Sequence, residues 1–462
     1  PTVLRAMALL QLGRPADAER LAAPVARLPG PGEPAAARYV LARAAARQGR
    51  LDEAIAAYRV VARERPTVPG LGATQQGDLP DDAAYLAAWL PYEAGRFAEA
   101  SRALRAFARE HPRARRAPDA RWFSAWSLYR AGDRKAARAA LAELSRTETA
   151  PLRAAALYWE ARLEADPGQA AALYRAAAEE LPAGWYGLLA AARLAALGQA
   201  PPATPPLPPS ALPDPPRDPV LSASLDLALD LAEAGLREES AALLQRLSRG
   251  PEARTRAALV GEVAAFTGEA EIPYRMARDH LPPGVRTRRW SYPEAHAEVL
   301  LPASRRLGVD PSLALAVMRR ESAFVVAARS GAAAEGVLQL RPETAHRLKA
   351  IAGVPEGTDL TDVAENLRLG IAYLGLLSDR FPTVPQVLAA YNAGPPAPAA
   401  WSREGAGLPL DEWAEGIPYR ETRQYVRSVV GDWASYRALR GEPPPDLDPS
   451  APIAPPQPGV AF

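Results

Sequence analysis

The sequence predicts a mainly all-α protein, a solenoid of helix pairs followed by a helical domain of different texture. Three observations carry this. A Gly-turn theme recurs through the first half, prolines cluster in two stretches, and short irregular segments rich in Gly, Asn, Tyr and Trp replace the repeats after about residue 291. At about 100–200 residues per domain, the length of 462 residues allows about two to four domains.

The repeat comes first. Gly13-Arg14-Pro15-Ala16-Asp17-Ala18 is echoed by Gly49-Arg50-Leu51-Asp52-Glu53-Ala54, by Gly95-Arg96-Phe97-Ala98-Glu99-Ala100 and by Gly132-Asp133-Arg134-Lys135-Ala136-Ala137. The glycines are 36, 46 and 37 residues apart, close to the period of about 34 residues of helix–turn–helix solenoids. At each copy an Ala/Leu-rich helix stops at a glycine able to take the left-handed cap conformation. A second helix then carries apolar residues at i, i+3 and i+4. One pair cannot bury its own stripe, so the copies must stack. Taken alone, such an array is a scaffold or binding surface and says nothing about chemistry.

Residues 201–220 hold ten prolines, which forbid helix and sheet interior and leave an extended strap. Helical pattern resumes over Leu221–Leu247, with a turn at Gly235, and runs to about Arg289. Pro443–Pro458 has no apolar period and is expected to be an unfolded tail. The expected divisions are therefore 1–200, 201–220, 221–290, 291–441 and 442–462.

Composition narrows the chemistry. Absence of cysteine excludes disulfides, thiolate metal sites and a cysteine nucleophile. Four scattered histidines make a His-rich metal centre a poor expectation, and no cofactor is expected. With 55 basic and 53 acidic side chains there is no basic stripe for nucleic acid. No apolar run approaches the length of about 20 residues needed to span a bilayer. The chain opens at Pro1 without a basic-then-apolar leader, as expected where a signal segment is removed or the chain is cut short.

The irregular domain holds the candidate site. A helix is expected over Pro311–Phe324, with Asp310 as N-cap and Pro311 at its first position. Its apolar stripe runs Leu313, Val317 and then Glu321, so this carboxyl falls on the face turned inward. Burial raises a carboxyl pKa, as a general acid near neutral pH requires. The alternative is an ion pair of Glu321 with Arg319 or Arg320 that merely holds the helix. Downstream, Gln339 stands among apolar residues in Gly336–Pro342 and offers a donor and an acceptor to a polar ligand. An apolar helix ends at Tyr391-Asn392-Ala393-Gly394-Pro395, and Tyr419-Arg420-Glu421-Thr422-Arg423-Gln424-Tyr425 begins the last helix. Singly, each has a structural reading: Asn392 as a helix-end cap, Tyr391 as a core phenol, Glu421 as partner of Arg420 or Arg423.

In this order the blocks resemble the soluble lytic transglycosylases of bacterial cell-wall metabolism. The resemblance runs through Tyr292-Pro293, Gly308-Val309-Asp310-Pro311, Arg320-Glu321-Ser322-Ala323-Phe324, Gly336–Pro342, Leu360-Thr361-Asp362, Asn366-Leu367-Arg368-Leu369-Gly370, Ala372-Tyr373-Leu374, Ala390–Gly394 and Tyr419–Tyr425. Leu181-Pro182-Ala183-Gly184-Trp185-Tyr186 resembles a segment of the family's helical half. The resemblance implies a TPR-like α-superhelix followed by a lysozyme-like, mostly helical catalytic domain. It implies cleavage of the β-1,4 bond between N-acetylmuramic acid and N-acetylglucosamine without net hydrolysis, giving 1,6-anhydromuramic ends, with Glu321 as single acid/base. Ser330, Leu338, Gln339, Tyr391, Asn392, Glu421 and Tyr425 match substrate-contacting or acid-supporting positions. It further implies glycan strands as substrate, a periplasmic or envelope location, and wall-synthesis or division proteins as possible partners of the repeats. A lysozyme-type hydrolase on the same fold and a non-catalytic peptidoglycan-binding scaffold are the rival readings.

The chain departs from the family in Ser330-Gly331-Ala332-Ala333-Ala334-Glu335. An alanine at 333 replaces a glycine that suits an unusual backbone angle, and Leu338 stands where methionine is commonest. Between Glu298 and Arg440 there are 16 basic and 16 acidic side chains, so recognition is expected to rest on hydrogen bonds and on stacking against rings such as Tyr391.

Overall fold

The computed structural model describes residues 2–64, 66, 78–203, 208, 209, 214, 216, 218–355, 357 and 359–457. Among them are 24 α-helices, four isolated β-bridges and no strand. No helix among them is long and apolar enough to cross a membrane. The chain divides into two compact units, Pro1–Glu180 and Leu181–Phe462.

The first unit is a series of helix pairs: α1 (Thr2–Gln11) with α2 (Pro15–Ala26), α3 (Glu33–Arg47) with α4 (Leu51–Val61), α5 (Leu79–Glu93) with α6 (Phe97–Glu110), α7 (Ala117–Arg130) with α8 (Arg134–Thr147), and α9 (Leu152–Leu163) with α10 (Pro167–Glu180). The four turn glycines all have positive φ, from 71° to 81°, where an L-residue pays for its Cβ. Alanines such as Ala18, Ala22, Ala36, Ala37 and Ala54 are fully buried between neighbouring helices. The fifth pair escaped the glycine pattern because its turn is built otherwise. Asp166 accepts a hydrogen bond from the Gln169 amide at 2.8 Å and caps α10, with no glycine in the turn before it.

The second unit opens with α11 (Trp185–Ala196), which packs on the last helix of the chain. The expected division at residue 200 thus differs from the compact boundary at 180, and the reason is specific. Arg193 Nη2 donates to the buried Asp411 carboxylate at 2.9 Å, and the Tyr186 hydroxyl donates to the buried Glu415. Next come α12 (Pro219–Glu233), α13 (Arg237–Leu247), α14 (Ala253–Phe266), α15 (Glu271–His280) and α16 (Val285–Ser291). Much of the 201–220 strap lies outside the described residues. Then follow α17 (Ala297–Leu307), α18 (Pro311–Glu321), α19 (Pro342–Ala352), α20 (Val363–Arg380), α21 (Val384–Ala393), α22 (Pro396–Glu404), α23 (Leu410–Glu415) and α24 (Arg420–Leu439).

The proline-rich end is not an unfolded tail as far as Gln457. Leu447 and Ile453 are 6 % and 2 % exposed. Ile453 N donates to Leu408 O at 2.8 Å, Leu410 N to Ala451 O at 3.0 Å, and Gln457 N to Arg380 O at 2.9 Å. Proline prevents helix here but not docking: an extended chain with two apolar anchors satisfies its few amides on neighbouring loops.

Candidate active site

Helix α18 begins as its sequence dictates, with Asp310 Oδ1 accepting from Ser312 N at 2.7 Å. It ends at Glu321, three residues before Phe324, because Ala323 and Phe324 take φ of 52° and 68°. Ser322 supports the reversal by accepting from Phe324 N at 3.1 Å. Phe324 still reaches the interior, edge-on to Tyr274 at 5.4 Å between ring centroids. Glu321 therefore stands on the last position of a helix whose Leu313 and Val317 are buried.

Its surroundings separate it from the ion-pair alternative. Arg319 Nη1 donates to Asp432 Oδ2 at 2.8 Å, and Arg320 donates to both oxygens of Asp432 through Nε and Nη2. Both arginines are thus spent on a carboxylate of α24. Glu321 instead accepts from the Tyr425 hydroxyl at 2.6 Å. Burial is the main reason its pKa rises from 4.5 to about 7; the Tyr425 hydrogen bond opposes the rise and the charge of Glu421 adds to it. The side chain keeps partial exposure, as a group that must meet a substrate needs.

Tyr425 and Glu421 are one turn apart at the start of α24, and Tyr391 comes from α21. The phenol of Tyr391 also feels the Glu321 charge, and burial raises its pKa and that of Tyr425. Neither phenol has its proton to spare. Tyr425 gives it to Glu321, and Tyr391 gives it to Leu338 O at 2.8 Å. Beside them Thr422 Oγ1 donates to Asn392 Oδ1 at 2.6 Å, which leaves the Asn392 amide group to donate elsewhere.

The loop between α18 and α19 joins the group through the Leu338 carbonyl that Tyr391 takes, and it is folded on the bridges Arg329–Glu335 and Glu335–Leu340. Gln339, in the left-handed region at φ 47°, donates to Ala328 O at 3.0 Å and Gly336 O at 2.9 Å. Its donors are consumed by the loop, so it offers a ligand an acceptor only, a correction to the expected donor and acceptor. Leu338, expected among substrate contacts, has a fully buried side chain against Gly370; what it supplies is the carbonyl that Tyr391 takes. Ser330 is exposed, and its Oγ accepts from Ala334 N at 3.0 Å and Ala332 N at 3.3 Å, leaving the hydroxyl proton free. The structure groups Glu321, Tyr391, Tyr425 and Glu421 electrostatically, while Ser330 and Gln339 bond within their loop.

Two residues that matter here were given no role from the sequence, although Asn366 opens one of the blocks that carry the resemblance. Asn366 of α20 is fully buried, accepts from Leu338 N at 2.8 Å and donates to Glu335 O and Leu360 O at 3.0 and 2.9 Å. It holds the loop shut from behind. Asp432, 2 % exposed, sits two turns beyond Tyr425 on the same helix face. A carboxylate among Val429, Val430 and Trp433 was the available clue.

Residues 299–412 match the family model for the transglycosylase SLT domain, and residues 3–69 a tetratricopeptide repeat model. The chain is 35% identical over 167 residues to a putative soluble lytic murein transglycosylase of Haemophilus influenzae, covering 34% of this chain and 28% of that protein. It is 35% identical over 141 residues to the soluble lytic murein transglycosylase of Escherichia coli K12, covering 29% and 22%. The aligned region thus spans under a third of these relatives' length. The fold is shared with an inactive mutant of the lytic transglycosylase Slt from Pseudomonas aeruginosa, at TM-score 0.64 and 23% identity over 96% of this chain and 69% of that one. It is shared also with the 70 kDa soluble lytic transglycosylase of E. coli, at TM-score 0.54 and 19% identity over 96% and 81%. Fold and sequence define an all-α protein with an SLT domain behind tetratricopeptide-like repeats. Over the SLT region the chain is similar to soluble lytic murein transglycosylases.

Proposed function

We propose that the chain cleaves the β-1,4 bond between N-acetylmuramic acid and N-acetylglucosamine in peptidoglycan without consuming water, with Glu321 as the single acid/base. The observation that carries the reading is a half-buried carboxyl, hydrogen-bonded to Tyr425 and kept from both neighbouring arginines, with a pKa of about 7. At neutral pH a large share of such a group holds the proton a general acid must give.

In the first step Glu321 passes its proton to the bridging oxygen as the bond from muramyl C1 to that oxygen breaks. In the second, the carboxylate takes the proton of the muramyl C6 hydroxyl as O6 closes onto C1. A 1,6-anhydro ring forms and Glu321 is protonated again, so atoms and charge balance without water. Ordinary glycosidases need a second carboxylate as nucleophile or base; here the sugar's own hydroxyl is already held close. Tyr425 stabilises the intermediate carboxylate, Asn392 donates and Gln339 accepts hydrogen bonds from the sugar, and Ser330 donates to the muramyl N-acetyl group. Glycan strands as substrate put the site of action in the bacterial envelope, and the repeats of the first unit provide a surface for other wall proteins.

The test is mass spectrometry of digested murein with the Glu321→Gln variant as control. Anhydromuropeptides are expected from the wild type, with a loss of about 10³-fold in the variant. Reducing-end products one water heavier would replace this reading by hydrolysis, and binding without cleavage would replace it by a scaffold.

A further inference from the structure

We propose that Asp432 is a positioning residue for the reaction: by gripping Arg320 it keeps the cation next to Glu321 in sequence away from the Glu321 carboxylate. The inference rests on Glu321 being the acid.

The geometry separates the two arginines. Arg319 has holds besides Asp432: its Nε donates to Ser291 O at 2.8 Å, and its guanidinium lies over Tyr274 and Tyr292 at 5.1 and 4.5 Å. Arg320, among the described residues, has its side-chain hydrogen bonds to Asp432 alone, through both oxygens, and its side chain is 38 % exposed. Loss of the Asp432 charge therefore releases Arg320 rather than Arg319. Arg320 already lies near enough to Tyr425 for its charge to act on that phenol, and Tyr425 touches Glu321. A guanidinium freed beside Tyr425 has the Glu321 carboxylate that Tyr425 holds to pair with, and fork-like pairing is what it favours.

The other groups facing Glu321 do not substitute for this control. From α24 come Tyr425 and Glu421, and from α21 Tyr391. The charges of α17, which also packs on α18, are placed otherwise: Arg306 donates to Ala352 O at 2.8 Å, Glu298 acts on His296, and Arg305 is exposed. Among the described residues, burial, the Tyr425 hydrogen bond and the Glu421 charge are what act on the Glu321 carboxyl, and both arginines that precede it bind Asp432 instead. An acid beside a paired guanidinium would be ionised at neutral pH and unable to donate.

The experiment is the pH profile of kcat/KM on soluble glycan fragments for the full chain and three variants. In wild type the rate falls as Glu321 loses its proton. In Asp432→Asn the midpoint of that fall should move down by about one unit, so that the share of its acidic-plateau activity kept at pH 8 is about tenfold smaller than in wild type. The double variant D432N/R320M should return the midpoint to the wild-type value, because the released cation is gone. R320M alone should leave it in place. A lowered plateau with an unmoved midpoint in D432N would mean a structural role only and overturn the proposal, as would failure of the double variant to restore it. If D432N does not fold, R320M still decides: a midpoint that rises shows Arg320 already acting on Glu321. Carboxyl NMR titration of Glu321, assigned against E321Q, reads the same shift without turnover, so an inactive wild type would count against the proposed function and leave this inference tested.

Discussion

Tyr425 donates its phenolic hydrogen to Oε1 of Glu321 at 2.6 Å, across the point where the end of α18 meets the start of α24. Two opposed influences therefore meet on one carboxyl. Burial favours the protonated form and the phenol favours the carboxylate, and burial dominates.

Removing the phenol should tip the balance further. In Tyr425→Phe the carboxylate loses a hydrogen bond of the kind worth about 1.5–3 kcal/mol to a charged group, so the Glu321 pKa rises above about 7. The alkaline fall of kcat/KM should move up by about one unit, while kcat drops because the carboxylate intermediate is less stabilised. A pH profile with wild-type midpoint would rule out the hydrogen bond as a controlling contact.

The same carboxyl links stability to pH. Its pKa is raised on folding from 4.5 to about 7, so between those values the folded state binds more protons than the unfolded one, and stability falls as pH rises through this window. Above it the deficit is constant, roughly 2–3 kcal/mol after allowance for partial exposure. Glu321→Gln carries no such cost. Its melting temperature should exceed that of wild type by a few degrees at pH 8 and converge with it below about pH 4.5; equal melting curves at pH 8 would contradict the assignment.

The loop that carries Gln339 depends on two backbone positions of opposite tolerance. Ala333 holds φ 60°, the left-handed angle that the missing glycine would accept freely. Ala333→Gly should stabilise by about 0.5–1 kcal/mol, less whatever entropy the freer unfolded chain recovers. Gly336 holds φ 78°, and a Cβ there would lie 2.2 Å from Asn366 Nδ2 and 2.3 Å from Leu360 O. Gly336→Ala should cost about 3 kcal/mol or more and abolish turnover by lifting the loop off Asn366. Chemical denaturation of both variants measures the contrast.

Much of this protein could be read along the chain. Turn glycines, the Asp310 cap, the inward stripe ending in Glu321 and the stop at Gly394-Pro395 are local signals, since each depends on neighbours within a turn or two of helix. The fifth helix pair was silent because a side-chain cap took the place of the glycine. What the tertiary structure alone decided was who pairs with whom. Arg319 and Arg320 adjoin Glu321 in sequence yet bind Asp432, more than 110 residues away. The Gln339 amide turns inward to its own loop, and the proline-rich end docks through Leu447 and Ile453. Charge pairing and burial depend on distances across the fold, which side-chain spacing along one strand of sequence does not contain.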